Sequence, residues 1–168
     1  MKPLVIFGCA EIAELAHFYF TTDSPRAVVA FTVDAAFKTA DLFCGLPVIP
    51  FEEITEKFPP ATHDLFVALG YSRLNQVRAA KVNAAKEKGY TLASYCSSHA
   101  TMLARHPIGE NCFILEDNTV QPFVKIGQNV TLWSGNHIGH HSVIEDDCFI
   151  ASHLVVSGGV RIGPRCFI

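Results

Sequence analysis

Three of the chain's eight histidines fall within Asn136-His137-Ile138-Gly139-His140-His141. An imidazole titrates near neutrality, so a histidine of this group can take a proton from an amine or a hydroxyl at pH 7. Their proximity alone specifies neither a base nor a metal site, and a lone histidine on a sheet face is most often simply solvated. A second group lies near the N-terminus. Gly8-Cys9-Ala10-Glu11-Ile12-Ala13 keeps the spacing of a dinucleotide-binding glycine fingerprint, with alanines at the second and third glycine positions. Asp34 follows where a ribose-binding carboxylate would stand. Such a turn offers free N–H groups to phosphate at a helix N-terminus; the same residues also read as a tight turn at Gly8 and a solvated strand end at Asp34. The six cysteines lack any close pairing. Cys112, Cys148 and Cys166 stand eighteen residues from one another or from Val130 in one column and read as small core hydrophobes.

The element that must position the histidines is a repeat. Counting by sixes from Ile108 gives Ile114, Val120, Ile126, Leu132, Ile138, Ile144, Ile150, Val156, Ile162 and Ile168, branched aliphatics throughout. Neither a helix nor a simple alternating strand has that period, whereas a parallel β-helix does. Three hexapeptides make one coil, so residues eighteen apart should stack. Three inner ladders are predicted: Ile108-Ile126-Ile144-Ile162, Ile114-Leu132-Ile150-Ile168 and Val120-Ile138-Val156. Phe113, Phe149 and Phe167 should share a neighbouring column. Gly109, Gly127, Gly139 and Gly163, each following a ladder residue, are expected to supply the sharp corners. Gly158 falls one coil from His140, within Ser157-Gly158-Gly159, and leaves the face beside that histidine clear of a side chain.

Ahead of the repeat, strands and helices alternate. Leu4 to Phe7, Ala27 to Val33, Leu65 to Leu69 and Thr91 to Tyr95 read as strands. Glu11 to Phe20 and Arg73 to Lys88 read as helices, the second stopped by Gly89, with a short helix near Pro50 to Ile54 after a loop. This order predicts a parallel sheet covered by helices. Ligands of such sheets bind at the carboxyl ends of the strands, which brings forward Gly8, Cys9, Asp34, Gly70 and Tyr71.

With 49% hydrophobic and 17% charged residues in 168, the chain has the balance of a globular protein of one or two domains. A formal charge of -3 provides no basic footprint for nucleic acid or an anionic membrane. The N-terminal apolar run is too short for a signal or a span, and unpaired cysteines suit a reducing cytoplasm.

The hexapeptide pattern with Ile138-Gly139-His140 inside it, preceded by a small α/β unit, resembles the left-handed β-helix sugar acyltransferases of the sialic acid O-acetyltransferase-like family. Handedness comes from the resemblance, since the period does not give it and most parallel crossovers are right-handed. The resemblance implies a Rossmann-like nucleotide-sugar-binding domain over residues 1–98 and a left-handed β-helix acyltransferase domain over 99–168, incomplete at its C-terminus. It also implies acetyl-CoA as co-substrate, no metal, a homotrimer, and N-acetylation in preference to O-acetylation of a nucleotide-linked amino sugar for surface glycans. His140 matches the family's general base, with His141 beside it where relatives carry an acid; Glu145 and Asp146 are the substitutes available to orient the base. Asn136 and His137 are expected to line the acceptor pocket, and Gly158 and Gly159 to meet the CoA. Two other classes fit parts of the pattern: a carbonic anhydrase-like zinc enzyme sharing histidines between subunits, which leaves the N-terminal half unexplained, and a non-catalytic oligomerising scaffold.

Overall fold

The computed structural model describes residues 1–168, which divide into two units: Met1–Gly70 with Lys81–Ala93, and Tyr71–Ala80 with Ser94–Ile168. The first is an α/β unit. Its central strand β1 (Leu4–Phe7) is buried along its whole length, as a continuous apolar run in a parallel sheet should be. Leu4, Val5 and Ile6 are fully buried, each side chain stabilising the fold by roughly 1.5–3 kcal/mol. Helix α1 (Glu11–Thr22) buries Ala13, Ala16 and Phe20 and places Glu11 and Glu14 in its first turn, where the helix dipole favours them. Strand β2 (Val28–Val33) is followed by β3 (Leu42–Phe43), β4 (Leu46–Pro50), a one-turn helix α2 (Ile54–Lys57) and β5 (Asp64–Val67). The sheet order is β3-β4-β2-β1-β5, parallel except for the β3–β4 pair.

Three expectations change here. The segment taken for a loop contains β4, concealed because Pro47 and Pro50 lower strand propensity; it is tolerated one strand from the sheet edge, where Val48 pairs Phe31. Of Thr91 to Tyr95, Leu92 alone bridges the sheet, at Leu65. The last helix, α3 (Gln76–Glu87), starts three residues later than the pattern suggests, because Arg73, Leu74 and Asn75 adopt positive φ. The buried Asn75 amide donates to the Cys166 carbonyl at 3.1 Å and fixes that turn. At the other end Gly89 closes the helix at φ 89°, the role its sequence position implies.

The second unit is a parallel β-helix. Lys125–Ile126, Val143–Ile144 and Arg161–Ile162 form one face; Tyr95–Cys96, Phe113–Ile114, Thr131–Leu132 and Phe149–Ile150 form the next; Thr101–Met102, Thr119–Val120, His137–Ile138 and Val155–Val156 form the third. The registers are those of the eighteen-residue ladders: Ile126 on Ile144 on Ile162, Ile114 on Leu132 on Ile150, Val120 on Ile138 on Val156. Cys96 and Met102 extend two ladders backward, so the coil begins at Tyr95, ahead of the boundary expected at residue 99. These two continue the count by sixes with apolar residues that are not branched, which is why a branched-only pattern stops short.

Corners fall elsewhere than the glycines suggest. The left-handed residue of each hexapeptide is the third after the ladder aliphatic: Asn111, Asn129, Asp147 and Arg165 in one column, Asp117, Gly135 and His153 in the second, Phe123, His141 and Gly159 in the third. Asn and Asp tolerate this conformation better than other side chains. Of the glycines directly after the aliphatics, Gly109, Gly127 and Gly139 serve close stacking instead, while Gly163 on the last coil has open space beside it. A Cβ on Gly109 would stand 2.4 Å from the Gln128 backbone, and one on Gly139 2.6 Å from the Gly158 nitrogen.

Cys112 and Cys148 are buried in the ladder core, as expected of small hydrophobes. Burial pushes their thiols up to about 12 and about 11. The phenylalanine column is broken at Thr131, which lies between Phe113 and Phe149. Arg78 of α3 enters the gap: it donates to the Thr131 hydroxyl at 3.1 Å and to the carbonyls of Asn129 and Cys148 at 3.1 and 3.0 Å, with the Phe149 ring 5.7 Å away.

Candidate active site

His140 and His141 occupy the corner that follows strand His137–Ile138. Both are solvent-exposed, and their Nδ1 atoms lie 3.0 Å apart with the rings nearly perpendicular at 87°. The His140 backbone N–H donates to Oε1 of Gln121 at 2.9 Å. His141 takes the left-handed corner conformation at φ 60°, and its ring tilts against Phe123, a corner residue of the preceding coil at φ 68°, with centroids 4.7 Å apart. On the following coil, a Cβ at Gly158 would stand 2.6 Å from both Cε1 and Nε2 of His140. The imidazole therefore fills the space that the missing side chain leaves. That corrects the expectation of a vacant face awaiting a ligand: Gly158 is required so that His140 can lie where it does.

No protein group bonds Nε2 of His140. The Gly158 N–H is likewise unengaged, whereas Gly159, the corner glycine at φ 71°, donates its N–H to the His140 carbonyl at 2.8 Å. The arrangement offers a bare ring nitrogen beside a free amide donor, suited to moving a proton next to a developing oxyanion. The acids expected to orient His140 are occupied elsewhere. Glu145 pairs with Arg161, and Asp146 accepts from the Gln128 backbone N–H at 2.9 Å and its side-chain amide at 3.3 Å.

His137 points outward from its strand and is half-buried, flanked in register by Thr119 and Val155. Asn136 is not placed to line a pocket. It is buried, its amide donating to the Trp133 carbonyl at 2.6 Å and its oxygen accepting from the Leu154 N–H at 2.8 Å. It works with Asn118, whose oxygen accepts the Asn136 N–H at 3.2 Å, as an internal ladder. Gln121 and Phe123 were not singled out from the sequence. The eighteen-residue offset that stacks the ladders finds them, since Gln121 lies one coil before Gly139 and Phe123 one coil before His141. A recess of about 430 Å³ lies against Lys125–Ile126 and Val143–Ile144 and is lined also by Glu145, Asp146 and Pro164. No three His, Cys, Asp or Glu side chains gather closely enough to hold a metal ion.

In the α/β unit, Gly8, Asp34 and Gly70 follow the carboxyl ends of β1, β2 and β5, which are neighbours in the sheet. Gly8 has φ 129°, and a Cβ there would stand 2.7 Å from the Ala68 carbonyl, so no other residue fits. Burial, with Cys44 adding to it, pushes the Cys9 thiol up to about 11, and Cys9 lines a small recess of about 50 Å³ with Val33, Phe37 and Phe43. Asp34 is engaged by Lys81 at 2.6 Å, a partner that spacing does not reveal. Tyr71 falls in the second unit, its ring 5.2 Å from Phe149 and 4.4 Å from Phe167. No helix is long and apolar enough to cross a membrane.

Residues 108–140 match the family described as bacterial transferase hexapeptide (six repeats). The chain is similar to the structure of a mutant perosamine N-acetyltransferase from Caulobacter crescentus in complex with CoA and GDP-perosamine: TM-score 0.84 and 20% identity over 99% of this chain and 77% of that one. It is also similar to WeeI from Acinetobacter baumannii AYE, with TM-score 0.76 and 20% identity over 96% and 74% of the two chains. A third similarity is to the acetyltransferase domain of PglB from Neisseria gonorrhoeae FA1090 in complex with acetyl coenzyme A, TM-score 0.60 and 17% identity over 97% and 93%. At these identities the likeness is one of fold, and the chain carries the hexapeptide β-helix fold that these structures share.

Proposed function

We propose that the protein is an acetyl-CoA-dependent N-acyltransferase acting on a nucleotide-linked amino sugar, with His140 as general base. The observation that carries the reading is the unbonded Nε2 of His140, held over Gly158 beside that residue's free N–H. In this mechanism Nε2 takes a proton from the sugar amine as its nitrogen attacks the thioester carbonyl. The Gly158 N–H donates to the oxygen on which negative charge develops. Collapse breaks the C–S bond, and the departing thiolate recovers the proton from the imidazolium, leaving amide and CoA. No covalent enzyme intermediate is needed, which accords with the absence of an activated cysteine: the core thiols are protonated far above neutral pH.

The α/β unit serves, in this reading, as a Rossmann-like half-domain for the nucleotide. Support comes from the position of Gly8 and Asp34 beyond adjacent parallel strands, with Lys81 adding a cation that can face a phosphate. The left-handed sense of the coil and a homotrimeric assembly belong to the same reading, as does a place in surface glycan synthesis inside the cell. Structures of the same fold hold CoA with GDP-perosamine, or acetyl-CoA, which selects the probes.

Thermal shift in the presence of acetyl-CoA and of GDP-perosamine tests the binding half directly. Each ligand at a hundred times its Kd should add about 2.7 kcal/mol to stability, with a corresponding rise in Tm. Unchanged melting with acetyl-CoA and every nucleotide sugar tried would remove the reading.

A further inference from the structure

The geometry points to His141 as a positioning residue that holds His140 in one tautomer, with Phe123 as its backstop; this rests on the reading of His140 as the base. Two neutral imidazoles facing through their Nδ1 atoms at 3.0 Å can share only one proton there: one ring must be the Nδ1–H tautomer and the other must accept. Nε2 of neither ring has a protein partner, so the contact alone does not choose the donor; the proposed role of His140 does. The His140 ring lies over Gly158 with Nε2 unbonded, and its backbone is pinned by Gln121. The His141 ring is backed by Phe123. A base that works through Nε2 must carry its ring proton on Nδ1, so His140 is the donor and His141 the acceptor, with its own proton on Nε2.

The corner geometry shows how this acceptor is delivered. His141 and Phe123 occupy the same left-handed position one coil apart, a conformation unusual for such bulky residues, and Gly159 continues the column without a side chain. The two rings pack as a tilted pair, 37° apart in plane, which sets the direction of the His141 Nδ1 lone pair. A carboxylate at this position would add charge to the site, whereas His141 orients the base without adding any.

The test uses the full chain with three variants. His141→Phe keeps an aromatic ring against Phe123 but removes the acceptor. His141→Asn suits a left-handed corner and sets its Oδ1 where His141 Nδ1 stands, so it restores an acceptor. His140→Ala identifies the His140 signals by difference in nitrogen-15 histidine spectra recorded near pH 8. His140 should appear as the Nδ1–H tautomer in the parent protein and in His141→Asn, and should revert to Nε2–H in His141→Phe. In acetyl transfer, His141→Phe should lose about 10- to 100-fold in kcat with KM within about twofold, and His141→Asn should recover most of that loss. An Nε2–H tautomer for His140 in the parent, an unchanged tautomer in His141→Phe, or an Asn variant as impaired as the Phe variant overturns the proposal. The spectra decide it even if no acyl transfer is found, an outcome that would count against the proposed reaction alone.

Discussion

Each residue of the core ladder is read twice by its surroundings, once as volume and once as chemistry, and the cysteines separate the two. Cys112 is buried with its thiol 3.1 Å from the Gly127 carbonyl, and Cys148 repeats the contact one coil pair later at 3.0 Å from Gly163. Both protonated thiols fill the column as a small aliphatic would. Cys44, by contrast, is exposed at φ 49°. Ellman's reagent should therefore label Cys44 readily in the native protein, while Cys112 and Cys148 react only on unfolding. The pH dependence has a definite sign. With folded-state values raised by burial from 9.0 to about 12 and about 11, the unfolded chain loses these protons first as pH rises. Stability is full below pH 9 and falls above it, by at most about 1.4 kcal/mol per pH unit for each thiol. Cys112→Val should flatten that alkaline slope in thermal melts; an unchanged slope would mean that the thiol is not the titrating group.

Among the elements, α3 depends on Arg78. The guanidinium is nine-tenths or more buried and meets no carboxylate within salt-bridge distance; burial lowers its pKa to about 10, still well above neutrality. It sits where Thr131 replaces an aromatic, so one small side chain in a stacked column makes the socket for another element's cation. Arg78→Met fills much of the volume but abandons the Thr131 hydroxyl and the Asn129 carbonyl. The Cys148 carbonyl keeps the Thr131 N–H at 2.9 Å. Removing these bonds should cost about 2–4 kcal/mol, a fall of roughly 5–15 °C in Tm. A Met variant as stable as the parent would show that desolvating the guanidinium cancels its hydrogen bonds. At this scale the fold was legible wherever one residue class recurred. Ladders, core cysteines and the Gly89 stop follow from period and propensity. The β4 strand, hidden by two prolines, the Arg78 socket and the corner position do not, because each is decided by contacts between coils or elements distant in sequence. The site divides the same way: His140 and His141 are visible in the motif, whereas the supports Gln121 and Phe123 become visible only when coils are stacked.

For the whole molecule, the β-helix assembles the proposed catalytic corner from three successive coils. Gln121 and Phe123 come from one, His140 and His141 from the next, Gly158 from the third. Solenoid stability is carried by nearest-neighbour contacts, so the site needs coil stacking but little else of the fold. Gly158→Ala tests that dependence. Its Cβ would stand 2.6 Å from the His140 ring and must displace it, so kcat should fall roughly tenfold or more while Tm changes little at this exposed corner. Full activity in that variant would place the working position of His140 elsewhere. The most direct measurement is acetyl transfer from acetyl-CoA to GDP-perosamine by the purified protein and by His140→Ala. The parent should acetylate the amine, and the variant should lose about 10²–10⁴-fold in kcat with KM nearly unchanged, the signature of a missing general base. A parent that leaves acetyl-CoA unconsumed with every nucleotide-linked amino sugar offered, or a His140→Ala protein that turns over at the parent rate, would contradict the account.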